Sequence, residues 1–215
     1  LKIEGIITSY NRHDLLYQTL RSIKEFMSDE ISTLYVVEDS EHTDSFLSVC
    51  SEFSEFVQPL PLDMHTGHVY AIDHAMQKIT TKYYFHGEDD FQCIKSGFTS
   101  FTGLLEYGNG VLEVNGRGRD RKAVNHHPIN SEGMLSTDYH GWTGKMWSPC
   151  ICRLSEYKKL GRYSDHITFE PSRPFMAEKE IGKKMMKEFN GCYVTESPYF
   201  EHIGDNRSTS KFIKQ

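Results

Sequence analysis

KYYFHGEDDF, residues 82–91, is the stretch on which the fold turns. It opens as a short aromatic strand and closes on three adjacent carboxylates, Glu88, Asp89 and Asp90. Carboxylates side by side at the end of an apolar strand repel one another. A hard divalent cation with oxygen ligands relieves that repulsion and keeps positions free for phosphate oxygens. The competing reading of the bare triplet is a solvated acidic turn, and the surrounding pattern decides between them.

Upstream, KIEGIIT (residues 2–8) reads as a first strand, followed by a turn at Ser9-Tyr10-Asn11. Leu15, Leu16, Leu20, Ile23 and Met27 recur at helical spacing and predict a helix over 14–27. TLYVVE (33–38) predicts a second strand, 43–55 a short helix, and 66–79 a helix with Val69, Ile72, Met76 and Ile79 on one face. Strands alternating with helices predict an α/β fold, a Rossmann-like, mostly parallel central sheet with helices on both faces. Ligands bind such sheets beyond the carboxyl ends of the strands. Those ends carry Thr8-Ser9-Tyr10, Glu38-Asp39 and Glu88-Asp89-Asp90. Downstream, the pattern predicts a helix over 94–107 and a long polar, basic loop over 115–133. Strands follow at 134–139 and 145–151, helices at 153–160 and 174–189, and a last strand at 192–195.

The chain has 215 residues, 38% of them hydrophobic and 13% aromatic, which suits a globular core. Its net charge of −6 argues against a general nucleic-acid binder. RGRDRK (117–122) is an isolated basic run, better read as a mobile loop over a bound ligand. Five cysteines without a CxxC pair point to reduced thiols and a cytoplasmic compartment. No apolar run is long enough to span a membrane, and no signal peptide is visible. The chain starts at Leu1, so a domain excised from a longer protein is one reading. The histidine sets His65, His68 and His74, or His126, His127 and His140, match no zinc module.

Three motifs in order carry a resemblance over roughly residues 3 to 95. IITSYNRHDLLYQTLRSI resembles the opening of inverting family 2 glycosyltransferases of the GT-A fold, VVEDSE their second-strand motif, and YYFHGEDDF their DxD-type metal motif. The resemblance implies a single GT-A domain over 1–215, with a nucleotide-binding half (1–95) and an acceptor-binding half (96–215). It implies that Thr8, Tyr10 and Arg12 border the base or phosphates of a sugar nucleotide. Asp39 is then expected to accept a hydrogen bond from the base, typically uracil or thymine, which makes a UDP- or dTDP-type donor a better fit than a GDP-type one. Asp89 falls on the ribose or sugar side. Asp90 is the expected direct ligand of Mn2+ or Mg2+, with Glu88 beside it. The bland readings are a packed aromatic for Tyr10, a solvated helix start for Arg12 and a turn or cap for Asp39.

Transfer to an acceptor hydroxyl needs a base. In FMAEKEIGKKMMKEF, Phe175, Ile181, Met185, Met186 and Phe189 form one helical arc with Glu178 near its middle, whereas Glu180 points away beside Lys183, Lys184 and Lys187. Partial burial raises a carboxyl towards the range of a useful base. The family's catalytic carboxylate stands about three residues before an apolar helix position, as Glu178 does before Ile181, although the family residue is usually Asp. Trp142 is a candidate for stacking on an acceptor sugar, and Trp147 reads as core. His202 is a candidate metal ligand by the same resemblance, with Arg207 and Ser208 as candidate diphosphate contacts. A QxxRW motif is absent, which favours addition of one sugar at a time to a glycan or other hydroxyl acceptor. The rival readings are a non-catalytic sugar-nucleotide or carbohydrate-binding module and a sugar-nucleotide nucleotidyltransferase. The Gly-rich, Arg-containing first loop of the latter is not present.

Overall fold

The computed structural model describes residues 1–107, 113–115, 125–128, 134–138, 149–167, 174–189, 192–195 and 197–204. The first half runs β1 (Ile3–Ser9), α1 (His13–Met27), β2 (Ile31–Glu38), α2 (Thr43–Ser51), β3 (Val57–Pro61), α3 (His68–Met76) and β4 (Tyr83–Glu88). Then come β5 (Phe91–Cys93), a 3-10 turn at Phe98–Gly103, α4 (Leu104–Tyr107), β6 (Glu113–Asn115), β7 (Asn125–Pro128) and β8 (Met134–Asp138). The chain continues through β9 (Cys150–Arg153), α5 (Leu154–Leu160), a second 3-10 turn at Tyr163–His166, α6 (Pro174–Phe189), β10 (Cys192–Thr195) and β11 (Phe200–His202).

The main sheet has the order β3-β2-β1-β4-β9-β6-β10-β8-β7, and β11 pairs with β5 in a separate ribbon. The block β3-β2-β1-β4 is parallel throughout. β9 runs antiparallel to both β4 and β6, and β10 runs parallel to β6. The expected α/β architecture, a mostly parallel central sheet with helices on both faces, is the one observed.

Strand alternation divides the core into two layers. Ile7, Val36 and Phe85 face the layer that holds Leu16, Leu20, Ile23 and Met27 of α1. Their neighbours Ile6, Val37 and Tyr84 face the other way, against Val69, Ile72 and Met76 of α3 and Ile181 and Met185 of α6. The four α1 residues are wholly buried, and each such side chain stabilises the fold by about 2 kcal/mol.

Three local expectations change. No element was expected over 57–61, where β3 forms with Pro59 and Pro61 in it. It is an edge strand, where a missing N–H costs nothing in the ladder. The helix expected over 94–107 is confined to Leu104–Tyr107. Buried Glu30 captures the segment ahead of it, accepting from Gly97 N (2.7 Å), Thr99 N (2.6 Å) and Thr99 Oγ1 (2.7 Å). Gly97, at φ 93, breaks the helical path there. β4 also runs past His86 to Glu88, which pairs with Thr8 of β1. Glu88 is therefore a strand residue, and Asp89 and Asp90 lie just beyond.

Asp73 of α3, which is 1% exposed, ties that helix to α5 and to the second 3-10 turn. Its Oδ1 accepts from Tyr157 Oη (2.7 Å) and Tyr163 N (2.9 Å), and its Oδ2 from Ser164 N (2.8 Å). Among the described residues no helix is long and apolar enough to cross a membrane. Cys50, Cys93, Cys150 and Cys152 are buried. Asp73→Ala strands two buried backbone N–H groups and is expected to lower the unfolding free energy by about 2–4 kcal/mol, read by urea denaturation.

Candidate active site

The turn between β1 and α1 aims its side chains at the end of β4. Asn11 sits at φ 53, a left-handed conformation uncommon outside glycine. Its N–H donates to Glu38 Oε1 at 2.9 Å, which holds the turn in place. His13 Nε2 stands 3.1 Å from the buried Glu38 Oε2. Arg12 then reaches across the sheet. Its Nε donates to Asp89 Oδ2 at 3.2 Å, its Nη2 to Asp89 Oδ1, and its Nη1 to Asp90 Oδ2 at 2.7 Å. Tyr10 N adds a bond to Asp89 Oδ2 at 3.3 Å, and Thr19 Oγ1 of α1 donates to the Asp89 carbonyl at 2.8 Å.

The C-terminal ribbon closes the far side. Because β11 pairs antiparallel with β5, His202 comes opposite Phe91 and its Nε2 stands 3.2 Å from Asp90 Oδ2. Ile203 N donates to the Asp90 carbonyl at 2.9 Å. Gly204 packs so closely that a Cβ there would lie 2.5 Å from Asp90 Oδ2. Asp90 Oδ1 is buried and has no hydrogen-bond partner among the described residues.

A second cluster lies on the α3 and α6 face. His68, the first residue of α3, places Nε2 2.9 Å from Thr8 Oγ1 and 3.7 Å from Glu88 Oε1. Glu178 on α6 is half-buried and near enough for its charge to act on Glu88. Burial raises the Glu88 carboxyl well above the usual range, and the charges of Asp90, Glu178 and Asp89 push the same way. Burial carries Asp89 up to about 7 even against the pull of Arg12. Burial acts on Asp90 too, but His202 and Arg12 more than offset it and hold that carboxyl low. Burial, helped by the charge of Arg12, lowers His68 to about 4, beside the raised Glu88 carboxyl.

Asp39 is turned to a different task. Its Oδ1 accepts from Thr66 N (2.6 Å) and Thr66 Oγ1 (2.9 Å), and its Oδ2 from Gly67 N (2.8 Å). Gly67, at φ 96, caps α3. Thus Thr8, Tyr10, Arg12, Asp39, Glu88, Asp89, Asp90, Glu178 and His202 all stand around the carboxyl ends of β1, β2 and β4. Trp142, Arg207 and Ser208 lie outside the described residues. Glu38, His65 and His68 were not singled out as site residues. The histidines were weighed only as zinc ligands, and their placement depends on the β3–α3 turn. A cavity of about 410 Å³ at the opposite, amino ends of the strands, lined by Leu1, Lys82 and Glu106 among others, gathers no comparable set of carboxylates.

As donors for a cation, Asp90 Oδ1 and the nearby His202 and Glu88 offer a mixed oxygen and nitrogen set that suits Mn2+ better than Mg2+, which prefers oxygen donors alone. Among the described residues no three His, Cys, Asp or Glu side chains are already grouped as a metal cluster, and Arg12 supplies the positive charge instead.

Two outcomes follow from this geometry. Gly204→Ala drives a methyl group into Asp90. It is expected to lower the unfolding free energy by about 1–3 kcal/mol, read by urea denaturation. The second concerns His68, whose folded value lies below its unfolded value near 6.5. Its stabilising contribution is complete above that pH and is lost as pH falls towards 4. In melts from pH 7 to pH 4, the stability advantage of wild type over His68→Gln should shrink by roughly 1–3 kcal/mol.

Residues 6–152 match the family model described as glycosyl transferase family 2. No curated protein matches the chain in sequence. Its structure resembles that of GalNAc-T7 with UDP, GalNAc and Mn2+, with a TM-score of 0.69 and 10% identity, covering 98% of this chain and 44% of that one. It also resembles residues 1–349 of S. aureus TarS in complex with UDP (0.67, 13% identity, 93% and 60% covered). A third likeness is to the mannosyltransferase PcManGT from Pyrobaculum calidifontis in complex with GDP-Man and Mn2+ (0.62, 12%, 98% and 59%). At these identities the likeness is one of fold, and this chain spans 44% to 60% of the length of those proteins. With more than half of its length matched by the family model and a GT-A arrangement of strands around the site, the chain belongs to glycosyl transferase family 2.

Proposed function

We propose that this glycosyltransferase moves one sugar from a nucleoside-diphosphate sugar to an acceptor hydroxyl, with inversion and with help from a divalent cation. The observation that carries the reading is the buried, unpartnered Asp90 Oδ1 beside Arg12 and His202, with Glu178 facing the same cleft through Glu88. Residues 1–95 hold the donor and 96–215 the acceptor, within one domain. The folds it resembles come from proteins caught with UDP or GDP-Man, two of them with Mn2+, which supports a nucleotide-sugar donor and a divalent metal. A UDP- or dTDP-type donor is the one we favour.

The roles divide by chemistry. Asp90 and His202, with Glu88, would hold the cation, which when bound supplies positive charge to the departing diphosphate. Arg12 spans Asp89 and Asp90 and orients both. Glu178 takes the proton from the acceptor hydroxyl as that oxygen attacks the anomeric carbon, in line and opposite the leaving group. Transfer of one sugar per encounter agrees with the missing QxxRW motif.

Sugar-nucleotide hydrolysis or transfer, measured with and without manganese, tests this. Glu178→Gln is expected to lose at least 100-fold in kcat with donor affinity little changed. Robust turnover by that variant removes the base assignment. Turnover indifferent to chelation removes the metal role of Asp90. Nucleotide binding without turnover in the wild type favours a binding module.

A further inference from the structure

The carboxylate expected to read the nucleobase has no capacity left to do so. Both oxygens of Asp39 are committed: Oδ1 to Thr66 N and Thr66 Oγ1, Oδ2 to Gly67 N and, at 2.9 Å, to His65 Nδ1. A carboxylate offers about four lone-pair sites, and these four donors take them. Two of the donors are backbone N–H groups at the start of α3, so turning the carboxylate outward would strand them. Asp39 is also only 3% exposed.

His65 occupies the position between Asp39 and solvent. Its Nδ1 lies 2.9 Å from Asp39 Oδ2 and 3.1 Å from the Asp39 carbonyl oxygen. Both are pure acceptors, so Nδ1 carries the hydrogen. In the neutral ring this makes Nε2 a bare acceptor. Nε2 has no hydrogen-bond partner among the described residues, and the side chain is 51% exposed. The ring packs against Tyr10, with centroids 4.7 Å apart and planes tilted by 51°. Tyr10 is itself 39% exposed, beside the strand ends where the donor is expected. Aromatic faces hold bases by stacking without regard to identity. The tilted pair therefore joins an aromatic surface to a single oriented acceptor.

We propose that His65 is the specificity-determining residue for the donor base: its Nε2 accepts the N3–H of uracil or thymine while the base lies against Tyr10, and Asp39 orients the ring from behind. Cytosine presents a lone pair at N3 and meets the lone pair of Nε2, so the same site disfavours it. The proposal rests on the nucleotide-sugar reading above. It deepens that reading by moving base recognition from Asp39 to a residue that the strand-end motif does not contain.

Calorimetric titration of UDP, dTDP and CDP, at fixed manganese, into wild type, His65→Phe and His65→Gln tests it. Wild type is expected to bind UDP and dTDP at least fivefold more tightly than CDP, the effect of about one hydrogen bond. His65→Phe keeps a ring against Tyr10 and should bind all three within about twofold of one another. His65→Gln has an amide that turns either way and should likewise lose the preference while keeping affinity. Because His65 is half exposed, both variants should retain the wild-type circular dichroism. Equal binding of UDP and CDP by wild type overturns the proposal but leaves the nucleotide-binding reading standing. A preference that survives in folded His65→Phe or His65→Gln overturns it as well. Failure of folded wild type to bind any of the three overturns the donor reading, and the proposal with it.

Discussion

Arg12 is the charge around which this molecule's functional end is assembled. Asp89 and Asp90 are almost wholly buried, and two adjacent buried carboxylates are not tolerated without a cation. The guanidinium supplies it by spanning both, a fork geometry that a lysine does not offer. To do so it must leave the start of α1 in a fixed direction, which the left-handed Asn11 and its bond to Glu38 impose. The turn after β1, the end of β2 and the end of β4 are thereby locked into one unit.

The same arrangement divides the carboxyl groups by charge state. Asp90 faces Arg12 and His202 and is held low, the state suited to a cation ligand. Glu88 is buried, faces Asp90, Asp89 and Glu178, and is pushed high. His68 beside it is kept neutral by burial and by Arg12. One edge of the cleft is thus an ion-pair network, and on the other His68 lies within hydrogen-bond distance of Thr8 and 3.7 Å from Glu88.

A third consequence concerns the nucleobase. Asp39 lies at the strand end where the family resemblance places a base contact, yet it accepts from Thr66 and Gly67, just ahead of α3, and lies 2.9 Å from His65 Nδ1. Capping satisfies N–H groups that the helix start leaves unpaired.

Much of this was legible in the residues. The apolar spacing of α1, the near-continuous apolar runs of β1, β2 and β4, and the carboxylates at their ends depend only on local periodicity, so the parallel block and the place of the site could be read directly. Glu178 was likewise accessible, because helical angles set it on the apolar arc of α6. What local pattern does not carry is partnership at long range. The edge strand β3 carries two prolines, whose cost disappears only where no neighbour asks for an N–H. The helix expected over 94–107 was undone by Glu30, more than sixty residues earlier in the chain. Arg12 on Asp89 and Asp90, His202 on Asp90, and His65 on Asp39 are each decided by packing between distant segments. The sequence by itself determined the α/β layering and which strand ends gather charge. Only the tertiary structure decided which of those charges are neutralised, which are capped and which face outward, because burial and pairing are properties of neighbours in space.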